Sequence, residues 1–87
     1  MSEAPRCQIV FLNDDFTPME FVIHVLEDIF KMSREEATRA MLHTHRRGTL
    51  PVATMDKAEA EATVKTIHER ARAAGHPLQC VLREESP

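Results

Sequence analysis

The chain is 87 residues long, enough for one modest hydrophobic core and too short for two. Its apolar and charged fractions, 43% and 29%, are those of a folded domain, which excludes general disorder. The formal charge of -3 argues against a nucleic-acid partner, and Arg46-Arg47 reads as a solvated helix end, not a patch. No apolar run approaches the roughly 20 residues that span a bilayer, and no signal sequence is visible, so no membrane partner and a cytoplasmic location are expected.

Residues 1–6 and 84–87 are expected to be flexible tails around one domain at 7–83. Residues 7–12 form a short β-rich run suited to a buried strand. A helix is predicted over 18–31, where Phe21, Val22, Val25, Leu26, Ile29 and Phe30 recur at helical spacing. Thr17 is its expected N-cap, with Pro18 at the first helical position, Glu20 closing a capping box, and Phe16 and Phe21 in staple positions. Ser33-Arg34-Glu35-Glu36 repeats the capping-box pattern and opens a second helix. Its predicted buried stripe is Ala37, Ala40, Met41 and Thr44, and Gly48 stops it.

Residues 49–55 read as a strand that Pro51 confines to an edge or a bulge. Asp56-Lys57-Ala58-Glu59 is the expected cap of a third helix, with Ala60, Val64, Ile67 and Ala71 inward and Gly75 at its end. His76-Pro77 breaks the chain before a last strand at 78–83. The order β-α-α-β-α-β predicts an α+β fold, a three-stranded antiparallel sheet packed against three helices.

Cys7 and Cys80 both fall inside predicted strands. Buried, reduced thiols are the expectation; a disulfide or redox pair is the alternative, without the Cys-x-x-Cys spacing that would favour it. His43 and His45 are two apart on a helix and point to nearly opposite sides, so one metal cannot easily use both. His24 is expected to pair with Glu27 or Asp28, and His76 to belong to the breaker. Neither a metal nor a cofactor is expected.

The chemistry concentrates in Asn13-Asp14-Asp15, on the turn between the first strand and the first helix. All three side chains offer oxygen acceptors, so the turn can receive a donor, above all a charged one. The competing reading is a turn closed by bonds from its own backbone. His45, near a helix C-terminus, can likewise serve the helix dipole or a ligand. An enzyme using Asp14, Asp15 and His45 as acid and base would lack a nucleophile, cofactor loop or metal set, so catalysis is not expected.

Residues 12–22, Leu-Asn-Asp-Asp-Phe-Thr-Pro-Met-Glu-Phe-Val, resemble the signature of the ClpS adaptors. Two further blocks agree: Glu35-Glu36-Ala37-Thr38 with Met41-Leu42 and His45 before Gly48, and Gly75-His76-Pro77-Leu78 with Cys80. The resemblance implies a non-enzymatic adaptor that recognises N-degrons, proteins whose free first residue is large and hydrophobic, and the small size makes a monomer the expectation. It would hand them to a ClpA-type AAA+ unfoldase. The resemblance further implies that Asn13, Asp15 and His45 bind the α-amino group while Asp14 shapes the same corner. Thr17, Pro18, Met19, Val22, Met41, Thr44 and Leu78 would form or border the pocket for the first side chain.

A protonated amine has three donors, and Asn13, Asp15 and a neutral imidazole on His45 can each accept one. Each bond contributes about 1.5–3 kcal/mol, and burying a Leu or Phe side chain about as much again. After association costs, the Kd is on the order of micromolar. In the resembled pocket Met41 narrows the cavity, which implies preference for Phe, Leu, Tyr or Trp over Ile and Val. The chain departs from the family at Thr44, where an apolar residue such as Val is usual, and at Pro51-Val52-Ala53. It also carries Ala58 and Thr63 at the two usual unfoldase-contact positions, leaving Glu59, Glu61 or Lys65 as candidates. The alternative is an interaction module of the same fold that modulates the Clp protease without reading N-degrons.

Overall fold

The computed structural model describes residues 5–85. Six elements follow in the predicted order: β1 (Arg6–Leu12), α1 (Met19–Phe30), α2 (Arg34–Arg47), β2 (Thr49–Asp56), α3 (Lys57–Ala73) and β3 (Gln79–Glu84). The expected tails lie partly outside the described residues. Within them, β1 and β3 each reach one residue into a segment expected to fray, and the Glu85 amide donates to the Arg6 carbonyl over 3.1 Å.

The sheet is antiparallel with β1 between β2 and β3, as the element order predicts. Pro51 lies on an edge strand, where its missing N–H is harmless, and the β1–β2 register shifts between Ile9 and Val10, opposite Ala53 and Pro51. One face of β1, through Cys7, Ile9 and Phe11, packs into a core that includes Leu26, Met41 and Ile67 from the three helices. Phe11 meets Phe30 edge-on, with ring centroids 5.9 Å apart. Val10, on the other face, is buried between its register partners Pro51 and Val81.

The helix starts follow the sequence unevenly. Ser33 accepts the Glu36 N–H at 3.1 Å and Glu36 accepts the Ser33 N–H at 3.0 Å, the predicted capping box. At α1 the expected box does not form. Thr17 directs its hydroxyl to Asp14, and Pro18 takes the N-cap position with no side-chain bond. Glu20 instead pairs with Arg34 at 2.6 Å and with His24 at 3.3 Å, so His24 faces neither expected partner. Glu27 and Asp28 pair with Arg34 and Arg70. The staple is also absent: Phe16 is 80% exposed, while Phe21 packs against His76. Glu20 and Phe21 are drawn to the more distant Arg34 and His76, and Thr17 to the nearer Asp14.

Asp56 occupies the N-cap of α3 but caps nothing with its side chain, which lies 3.4 Å from Arg6. The thiols of Cys7 and Cys80 are free and buried. Their register partners across β1–β3, Glu84 and Phe11, put them four residues apart along the strands. That is roughly 13 Å, far beyond disulfide reach.

Candidate functional site

Leu12 is the meeting point. It pairs with Thr49 on one side and Gln79 on the other, so three segments converge just past that end of the sheet. They are the turn after β1, the end of α2, and the approach to β3 through His76 and Leu78. The Asn13 N–H donates to the Gly48 carbonyl at 2.8 Å, fastening the acceptor turn to the C-terminus of α2. Gly48 adopts φ 85°, a left-handed conformation that favours glycine, and its N–H closes on the Thr44 carbonyl at 2.8 Å. His45 sits in that last turn, exposed.

The three acidic-turn residues are differently used. One carboxylate oxygen of Asp14 accepts the Phe16 and Thr17 N–H groups at 2.8 and 2.7 Å, and the other accepts the Thr17 hydroxyl at 2.9 Å. Partial burial pushes the Asp14 pKa up, but these bonds and the nearby charge of His76 outweigh it and hold the carboxyl below its ordinary value. The local-turn reading is therefore correct for Asp14. It does not hold for its neighbours: among the described residues, neither the Asn13 amide nor the exposed Asp15 carboxylate has a side-chain hydrogen bond or ion pair. Asp14 shapes the turn and leaves the other two acceptors open.

The expected pocket residues divide by depth. Val22, Met41 and Leu78 belong to one buried cluster at 4%, 5% and 2% exposure, and Thr44 is 2% exposed. Thr17 is half-buried, and Pro18 and Met19 are exposed at the start of α1. The Thr44 hydroxyl donates to the Ala40 carbonyl at 2.8 Å, so its polar end is turned onto its own helix.

The sequence profile described as "ATP-dependent Clp protease adaptor protein ClpS" matches residues 2–81. The chain belongs to the ClpS family. It is 50% identical over 78 residues to the ClpS adapter of Rhodospirillum centenum, covering 90% of this chain and 72% of that one. It is 52% identical over 79 residues to that of Burkholderia cenocepacia, covering 88% and 74%. Among solved structures it is similar to Agrobacterium tumefaciens ClpS2 bound to L-phenylalaninamide, with TM-score 0.91 and 34% identity over 95% of this chain and all of that one. The ClpS fold is thus the one the element order predicts, and family membership makes the protein an adaptor of the ATP-dependent Clp protease.

His76 is the residue of this ClpS corner that sequence reasoning missed. Its ring lies 4.8 Å from that of Phe21, and it is near enough to contribute, last among the causes, to the lowered Asp14 pKa. The Gly-His-Pro string signals a break, and nothing local in it points to a turn 62 residues upstream. Arg72 holds this approach in place by donating to the His76 carbonyl at 2.9 Å.

A groove of about 640 Å³ lies between Val64 and Leu82. Glu61, Lys65, Glu69 and Arg72 line it with both charge signs, and His68 Nε2 already accepts the Cys80 N–H at 3.1 Å. That groove lacks an open acceptor cluster of one sign. Among the described residues no group of three or more metal-ligating side chains occurs, and no helix is long and apolar enough to cross a membrane.

Proposed function

We propose that this adaptor binds polypeptides with a free, large hydrophobic first residue (Phe, Leu, Tyr or Trp) and delivers them to a ClpA-type AAA+ unfoldase. The observation that supports the reading is the backbone bond from Asn13 to Gly48, which fastens the acceptor turn of Asn13 and Asp15 to the helix end that carries His45, while Val22, Met41 and Leu78 lie in one buried cluster. The ligand of the similar Agrobacterium protein, a phenylalanine amide, has the matching chemistry of one amine beside one apolar side chain.

In this reading Asn13, Asp15 and neutral His45 each accept one amine N–H, and Asp14 acts through the turn it holds. Met19, 49% exposed at the start of α1, borders the pocket with a flexible thioether chain that adapts to guests of different shape. The Met41 wall disfavours a branch at the β-carbon of the guest. Binding is the whole of the chemistry, with no covalent step. Docking on the unfoldase uses exposed Glu59, Glu61 or Lys65, or is weaker than in relatives: Ala58 is apolar and the Thr63 hydroxyl is bonded to the Glu59 carbonyl at 2.9 Å. The adaptor acts as a monomer.

Titration with labelled peptides beginning with Phe, Leu, Ile or acetylated Phe tests this. Binding is expected for the first two only. Equal binding of the acetylated peptide removes the amine-reading function.

A further inference from the structure

The structure gathers a cationic patch that the sequence does not announce. At 3.6 residues per turn, Arg39, Leu42, His43 and Arg46 fall within about 100° of arc on α2, opposite buried Met41 and Thr44, with Arg47 beside them. They border a depression of about 390 Å³. Leu42, 43% exposed, is the apolar residue among those that line it. In an otherwise acidic chain, none of these three arginines makes an ion pair among the described residues, and unlike the other unpaired cations, Lys31, Lys65, Arg72 and Arg83, they share one helix face. Of the two carboxylates one turn before Arg39, Glu36 is hydrogen-bonded to Ser33 and only felt by Arg39 through space, and Glu35 forms no ion pair with it. Cations in the last turn suit the helix dipole, which accounts for Arg46 and Arg47 but not for Arg39 two turns earlier.

We infer that this face of α2 is a subsite for acidic side chains a few positions after the substrate's first residue. The inference rests on the amine-reading function proposed above. Its geometry follows from helix spacing: Leu42 is a surface neighbour of both His45 (i, i+3) and Arg46 (i, i+4), so the patch begins where the amine corner ends. From Arg46 back to Arg39 is about 10 Å of helix. An extended peptide covers that in about three residues at roughly 3.3 Å each. Carboxylates at the third to fifth substrate positions therefore come opposite the arginines. Asp15 and Asp14 make the second position, nearest the corner, unfavourable for a negative charge. The ligand class is an N-degron whose first residue is followed by a short acidic stretch.

The test uses the whole protein and peptides beginning with Phe that carry Glu, Ser or Lys at positions three to five, titrated at low and at about 0.5 M salt. Exposed charge pairs of this kind predict the Glu peptide to bind about three- to tenfold tighter than the Ser peptide at low salt, and the gap to close at high salt. Arg39→Ser with Arg46→Ser, both on the solvent face, removes the gap and leaves the Ser peptide unchanged. Arg46→Glu shifts preference toward the Lys peptide. Equal affinity for the Glu and Ser peptides overturns the subsite while leaving the amine-reading function standing. Failure of the Ser peptide to bind strikes that function itself. Tight binding of the acetylated Glu peptide, or of a nucleic-acid oligomer in its place, overturns the subsite by showing the patch to be independent of the first residue.

Discussion

Asn13 donates its N–H to the Gly48 carbonyl over 2.8 Å, and this bond joins the acceptor turn to the helix end that carries His45. The two elements are otherwise separated by α1 in the chain. Their junction depends on backbone atoms, with glycine allowing the left-handed turn that aims the carbonyl. Gly48→Ala therefore acts through φ alone, since nothing lies within 4 Å of the added Cβ. A destabilisation of about 1 kcal/mol is expected in urea unfolding, with a matching loss of peptide affinity.

Asp14→Ala leaves the Phe16 and Thr17 N–H groups and the Thr17 hydroxyl without their acceptor. A loss of about 1–3 kcal/mol in stability is expected, with smaller loss for Thr17→Val. The sign with pH follows from the lowered Asp14 pKa. Its stabilisation is complete above the unfolded carboxylate range near about 4 and disappears as pH falls through the lower folded value. Unfolding curves of Asp14→Asn should accordingly show a flatter acid limb than the parent.

Asp15→Ala and His45→Ala remove acceptors that make no internal bonds among the described residues, so the fold should be untouched. Each is expected to weaken a Phe-led peptide by roughly 10- to 100-fold, the equivalent of one charge-assisted hydrogen bond. Unchanged affinity in both would detach these residues from the amine even if peptides bind.

Thr44→Val tests whether the departure from the family's usual residue matters. The Thr44 hydroxyl is bonded to the Ala40 carbonyl, which as a helix carbonyl keeps a backbone donor when the hydroxyl is removed. Stability within about 1 kcal/mol of the parent and an unchanged order among Phe, Leu, Tyr and Trp peptides are expected. A changed order would show that the hydroxyl faces the guest.

Burial pushes the Cys80 thiol up to about 12. The fold thus favours the neutral form, and this contribution declines as pH rises past the ordinary thiol range, about 8.5. Alkylation of Cys80 at pH 8 should be slow in the native protein and rapid in denaturant, as read by mass spectrometry. Fast native labelling would contradict the buried position.

The fold was legible because long-range packing agreed with local pattern: the stripes on α1 and α2, the Ser33 box and the placement of Pro51 all point one way. The α1 start was not. Its Thr-Pro-Met-Glu string satisfies the capping rule, but Arg34, fourteen residues along the chain and adjacent across the α1–α2 turn, takes Glu20, and Asp14 takes Thr17. At the site, acceptor types singled out the Asn13-Asp14-Asp15 turn, and the resemblance to the ClpS adaptors added His45 to Asn13 and Asp15 as candidates. The divided labour between Asp14 and Asp15 and the arrival of His76 beside Phe21 are tertiary facts, invisible to any local window. The same holds for Arg46-Arg47, which becomes part of a patch only when Arg39 and His43 join it on one face.

The most direct measurement is a structure of the protein with a peptide beginning with Phe. The account predicts the peptide's amine nitrogen within hydrogen-bond distance of Asn13, Asp15 and His45, and its ring against Met41 and Leu78. A peptide seated in the groove between Val64 and Leu82, with that corner empty, would contradict it.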